Sequence, residues 1–132
     1  MTDLFKNALK SLENAYTPYS NYPVGCAIQT PQGDVFSGGN IEIANYDGTC
    51  AEAGAIAAMH NAGQREIETL VVVGPGNDLC TPCGRCRQRI REFSLPNTTI
   101  QIFNRKGEKL RSYTMDELLP DSFGPENLKA NV

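Results

Sequence analysis

The stretch Glu68-Thr69-Leu70-Val71-Val72-Val73-Gly74 decides the fold. Its centre, Thr69 to Val73, is a continuous run that suits a strand buried on both faces. Such a strand needs cover above and below, and the flanking sequence supplies it. Upstream, Cys50 to Asn61 is alanine-rich, and Gly63 is placed to end a helix there. Downstream, a loop from Pro75 to Pro82 leads into a helix from about Cys83 to Phe93. Further towards the N-terminus, Val24 to Thr30 and Val35 to Asn40 read as strands joined by the turn Pro31-Gln32-Gly33-Asp34, a hairpin. Before them, Leu4, Ala8, Leu9, Leu12 and Ala15 form a helical stripe that Thr2 or Asp3 can cap. On the other side, Thr99 to Asn104 and Glu108 to Tyr113 read as strands about the turn Arg105-Lys106-Gly107. Thr114-Met115-Asp116-Glu117 then has the spacing of a capping box. Strands alternating with helices predict an α/β fold, a three-layer α/β/α sandwich around one mixed sheet. At 132 residues this is one domain, residues 1–132, large enough to fold without disulfides.

Composition narrows the function. The chain is 40% hydrophobic and 20% charged, with mean hydropathy -0.35, which is globular and neither disordered nor low in complexity. No apolar stretch approaches a bilayer span. The N-terminus, Met1-Thr2-Asp3-Leu4-Phe5-Lys6-Asn7, lacks the layout of a secretory signal. The expectation is a cytoplasmic protein with no membrane partner. Twelve Lys and Arg against fifteen Asp and Glu leave a net charge of -3. The local basic run is Arg85 to Arg91. Polynucleotide binders need clustered positive charge, so a small-molecule substrate is expected and no nucleic acid.

The five cysteines are Cys26, Cys50, Cys80, Cys83 and Cys86. An odd number argues against a disulfide framework and for metal or redox chemistry. Cys50 and Cys83 stand at expected helix starts, where free N–H groups and the helix dipole favour thiolate over thiol. Cys83 and Cys86 share a helix face at three-residue spacing. Three thiolates suit zinc, and three protein ligands leave the fourth position open, as in catalytic sites. Glu52, two residues after Cys50, is then placed to take a proton from a zinc-bound water and pass it on. A ligand, any residue, Glu, and later Pro-Cys-x-x-Cys is the signature of zinc deaminases. Plainer readings exist. Thr49 and Glu52 fit a capping box, Cys-x-x-Cys occurs in redox and structural zinc sites, and Cys80 as a fourth thiolate would close the metal. Packing is the expected role of Cys80 and Cys26, and a helix-end role that of His60.

At these residues the chain resembles the small, homotetrameric cytidine deaminases of pyrimidine salvage, over nearly its whole length. The matching pieces are Tyr19-Ser20-Asn21-Tyr22-Pro23-Val24-Gly25, Gly39-Asn40-Ile41-Glu42, Cys50-Ala51-Glu52, Pro82-Cys83-Gly84-Arg85-Cys86-Arg87-Gln88 and the segment from Glu117 to Leu128. The resemblance implies one zinc per subunit on Cys50, Cys83 and Cys86, with Glu52 moving the proton to N3 of the ring as C4 is attacked and ammonia leaves. It implies that Asn40 and Glu42 hold the ribose hydroxyls, and that the Ala51 N–H holds the base carbonyl. Tyr22 would line the base pocket, Tyr46 would lie near a subunit junction, and Phe123 would reach a neighbouring subunit's site and pack on the pyrimidine. The expected reaction is hydrolysis of cytidine or deoxycytidine to uridine or deoxyuridine. A modified or antibiotic cytosine nucleoside, as for blasticidin S deaminases, and a non-enzymatic four-thiolate zinc protein are the alternatives.

Three features depart from the family pattern. Ala53 stands where an arginine usually follows the glutamate, which leaves Arg85 and Arg87 as candidates to offset the thiolate charge. The stretch from Asn40 to Cys50 is one residue shorter than usual, with Ile43 in place of an asparagine. Ala53-Gly54 replaces bulkier residues, and close helix packing is the expected use.

Overall fold

The computed structural model describes residues 2–129. The chain runs α1 (Asp3–Glu13), β1 (Gly25–Gln29), β2 (Val35–Gly39), α2 (Ala51–Asn61), β3 (Ile67–Val73), α3 (Gly84–Phe93), β4 (Ser94–Phe103), β5 (Lys109–Thr114), α4 (Met115–Leu118) and α5 (Pro125–Lys129). Among the described residues the strands form one sheet in the order β2-β1-β3-β4-β5. The run that decides the fold is its central strand. β3 pairs antiparallel with β1 and parallel with β4, so the sheet is mixed. The parallel pair requires a crossover, and α3 is that crossover.

Alternation along the strands sorts the core into two faces. Ala27, Val71 and Val73 point towards α1 and bury Leu4, Phe5, Ala8 and Leu12. Cys26, Ile28, Leu70, Val72, Ile100 and Ile102 point the other way and pack with α2, α3 and α4 through Ala55, Met59, Ile90 and Leu118. The result is the expected three-layer sandwich. Each fully buried Leu, Ile or Val contributes about 1.5–3 kcal/mol to holding it.

Helix and turn signals act as their chemistry dictates. Thr2 caps α1 by accepting from Phe5 N–H at 3.2 Å. Gly63 adopts φ +83° just past α2. Thr114 and Glu117 form a reciprocal capping box on α4. One boundary and one added element differ from the sequence reading. β4 begins at Ser94, because Pro96 falls in a register shift: Ile67 faces Ser94 while Thr69 faces Thr99. A proline without an N–H is tolerated where the ladder is already broken. The short α5 carries no strong periodic signal.

The edge hairpin is thin. A Cβ on Gly38 would lie 2.6 Å from Ala55 N and 2.8 Å from Ala51 O, and one on Gly39 would lie 2.3 Å from Ser11 O. The two glycines face opposite ways, so α2 and α1 each meet β2 backbone to backbone. Gly54 joins this approach from α2, 3.6 Å from the Gly38 position to its own added Cβ, as the small pair Ala53-Gly54 suggests.

Candidate active site

Register brings the site residues to one end of the sheet. Gly25 lies opposite both Gly39 and Val73. What precedes β1, follows β2 and follows β3 therefore meets there: Tyr22 to Val24, Asn40 to Cys50, and Gly74 to Cys83. The starts of α2 and α3 lie at the same end.

Cys50 is the N-cap of α2 and Cys83 the N-cap of α3, and neither side chain caps its helix. Replacing a capping oxygen ordinarily costs about 1 kcal/mol, so these sulfurs serve something else. With Cys86, in the first turn of α3, they place three Sγ atoms within 4.8 Å of one another. Burial and neighbouring negative charge, including Glu52, push Cys86 far up and Cys50 up. The Cys86 backbone N–H pulls Cys83 down. As thiolates the group repels itself, and a soft dication among the sulfurs reverses that field. The donor set fits zinc, and these three residues could hold it.

Glu52 occupies the second helical position of α2 and is 5% exposed. Burial raises its carboxyl above the usual range, and the Arg89 charge opposes this. The capping-box reading does not hold. Thr49 lies in a bridge with Ile41, exchanging N–H···O bonds of 2.8 and 2.9 Å, and the cap position is Cys50. Cys80 lies outside the sulfur cluster: it packs against Gly74 and accepts from the Tyr22 hydroxyl. Cys26 is buried in the core, and His60 is exposed near the end of α2. Arg87 is committed elsewhere, to Pro82 O and Leu118 O at 2.8 Å each and to Thr81 Oγ1 at 3.2 Å.

Two cavities adjoin the sulfurs. A small one of about 170 Å³ is lined by Val24, Asn40, Ala51, Glu52, Cys80 and Thr81, with Cys50 and Cys83. A wider one of about 470 Å³ runs from Asn40 and Cys50 past Glu42 to Tyr19, Ile43 and Tyr46. Asn40 is shared and pre-oriented. Its Oδ1 accepts from Val24 N–H at 2.9 Å and its Nδ2 donates to Tyr22 O at 3.0 Å, which leaves one N–H and one lone pair for a ligand. The Ala51 N–H belongs to the unbonded first turn of α2. A larger groove of about 830 Å³, between α2 and α3, is lined by Ala53 and Arg89 and includes neither Glu52 nor a site cysteine.

Glu42 is partly buried and held from outside its own loop. Its Oε1 accepts from Tyr19 N–H at 3.0 Å and Ser20 N–H at 3.1 Å, and its Oε2 accepts from the Ser20 hydroxyl. The Ser20 hydroxyl, then its N–H, hold this carboxyl below the usual range. The sequence reading did not single out Ser20: it lies 22 residues from Glu42, with no periodicity to link them. Tyr46 is 88% exposed at φ +65°, its ring edge-on to Tyr19 at 6.4 Å. Tyr22 is half-exposed with its hydroxyl on Cys80, and its ring is not among the cavity walls. Phe123 is 57% exposed and lines neither cavity of its own chain.

Comparison with known proteins agrees with this geometry. The family described as "Cytidine and deoxycytidylate deaminase zinc-binding region" matches residues 1–102. The cytidine deaminase of Halalkalibacterium halodurans is 36% identical over 126 residues, covering 95% of both chains. That of Sporosarcina psychrophila is 37% identical over 95% of this chain and 92% of its own. The crystal structure of the Burkholderia pseudomallei cytidine deaminase superposes with TM-score 0.85 at 38% identity, over 93% of this chain and all of that one. The three sulfurs at two helix starts, the buried glutamate beside them and these matches together place the chain in the cytidine deaminase family.

Proposed function

We propose that this chain, as one domain over residues 1–132, hydrolyses cytidine and deoxycytidine to the corresponding uridines and ammonia, with one zinc per subunit. Cys50, Cys83 and Cys86 hold the zinc. When bound, it would supply Lewis acidity and would activate a water near neutral pH. Glu52 takes a proton there, delivers it to N3 of the ring and helps protonate the departing amino group. Burial keeps its carboxyl from being levelled by bulk water. The Ala51 N–H meets the base carbonyl, and Asn40 and Glu42 meet the ribose hydroxyls. Tyr22 backs the base-side wall through Cys80.

One observation carries the reading: three sulfurs lie within 4.8 Å of one another without Cys80, and two of them, Cys50 and Cys83, line one small cavity together with the buried Glu52. The four-thiolate reading has no comparable support. The charged residues lining the two cavities are Glu42 and Glu52, with no lysine or arginine. That favours an uncharged nucleoside over a phosphate-bearing nucleotide or polynucleotide.

The chain acts as a cytoplasmic homotetramer in pyrimidine salvage. Tyr19, Ile41, Ile43 and Tyr46 leave an apolar rim around the open cavity, and such rims are ordinarily covered in an assembly. Phe123 of a neighbouring subunit closes the site over the pyrimidine, and Tyr46 lies near that junction. Ultraviolet assay of the purified protein on cytidine tests the reading. Turnover should be lost on chelation and return with zinc; turnover unaffected by stripping the metal would overturn it.

A further inference from the structure

The segment after α4 is bound to α3 more closely than an exposed tail requires. Arg91, in the last turn of α3, donates from Nε to Ser122 Oγ at 2.8 Å and pairs through a terminal nitrogen with the Glu126 carboxylate. Gly124 lies against the same guanidinium: a Cβ there would fall 2.4 Å from that nitrogen and 2.5 Å from Cζ. On the same helix face, Gln88 donates from Nε2 to the Phe123 carbonyl at 2.7 Å. Gly124 N–H donates to Asn127 Oδ1 at 2.8 Å, and Asn127 N–H donates back to Gly124 O at 3.0 Å. The backbone is thus fixed on each side of Phe123, while its ring stays in water. Tail residues are ordinarily loose unless tied down, and a large ring is ordinarily tied down by burying it. Here the backbone is tied and the ring is presented.

We propose that Arg91, assisted by Gln88, is a positioning residue for base binding in a neighbouring subunit. It fixes the turn from Ser122 to Gly124 so that Phe123 points away from its own fold, in the orientation a partner's cavity receives. This rests on the role given to Phe123 above. Arg91 itself is neither part of the sulfur cluster nor a wall of either substrate cavity, so its influence passes through the ring.

The test compares wild type, Phe123→Ala, Arg91→Ala and the double variant as purified oligomers. It measures kcat and KM on cytidine, zinc content and melting temperature. Phe123→Ala should raise KM about tenfold, the scale of one aromatic–base stack. Arg91→Ala should raise KM about threefold with kcat and zinc unchanged, and should add nothing in the Phe123→Ala background. Arg91→Lys, which keeps a cation for Glu126 but loses the planar support, should fall between and serves if the alanine variant does not fold. A silent Arg91→Ala beside an impaired Phe123→Ala overturns the clamp and leaves the role of Phe123 standing. A silent Phe123→Ala overturns both. An Arg91→Ala defect that persists undiminished without the ring, or appears only as a lower melting temperature, marks a structural role and overturns the proposal.

Discussion

At the starts of α2 and α3, Cys86 and Glu52 are shut away beneath the sheet's end, and their positions follow from the register of β1, β2 and β3. A few residues along the chain, the segment from Ile41 to Thr49 stands in water, pinned by two bonds to Thr49 and by the Glu42 carboxylate on Tyr19 and Ser20. One region is set by packing and the other by a handful of exposed hydrogen bonds. The first should govern the chemical step and metal retention. The second should govern how well the sugar is held, and it has more freedom to change without unfolding the chain.

The sharpest way to break this contrast is Glu52→Gln. The amide is nearly isosteric and leaves the sulfurs in place, so zinc content should be unchanged while kcat falls about 10²–10⁴-fold, the range for losing a positioned proton carrier. Near-normal turnover in that variant would remove Glu52 from the chemistry. Glu42→Gln acts on the other region. It should weaken the grip on the 19–20 backbone and, if Glu42 meets the ribose as proposed, on the sugar, so KM should rise about tenfold with kcat nearly kept, as for loss of a hydrogen bond to a charged group. A kcat loss matching that of Glu52→Gln would show that the two regions are not separable.

The smallest expected effect is on pH. Ser20 stabilises the charged form of Glu42, so the folded carboxyl titrates below the ordinary glutamate value near ~4.3. Substrate binding should therefore hold as pH falls towards that value and weaken below it. Ser20→Ala removes the hydroxyl that does most to hold this carboxyl low, so the acid limb of a KM–pH profile should move upward. An unmoved limb would mean that Glu42 is held by something other than Ser20.

The same contrast explains what could be read from the chain alone. The corner is written in local spacings: a cysteine two before a glutamate, a cysteine pair three apart, and an apolar run between their helices. Each survives as a pattern because helix geometry converts it directly into position. The hairpin, the central strand and the last capping box were legible for the same reason. The early start of β4 was not, since it depends on a register shift opposite Glu68 that no local pattern marks. Nor was the tie between Ser20 and Glu42, or that between Tyr22 and Cys80, because each joins segments that meet only once the sheet has formed. Thr49 shows the converse: its spacing to Glu52 suggested a cap, but pairing with Ile41 claimed its backbone first.

The paired glycines of β2 also bear on how this catalyst could be remade. With α1 and α2 pressed to the strand from opposite sides, any larger residue at 38 or 39 would displace a helix rather than deepen the recess. Room for bulkier sugars would have to be sought instead at positions 43–47, where side chains project into solvent. A library confined to that arc would vary what is admitted while leaving the reaction centre as it stands.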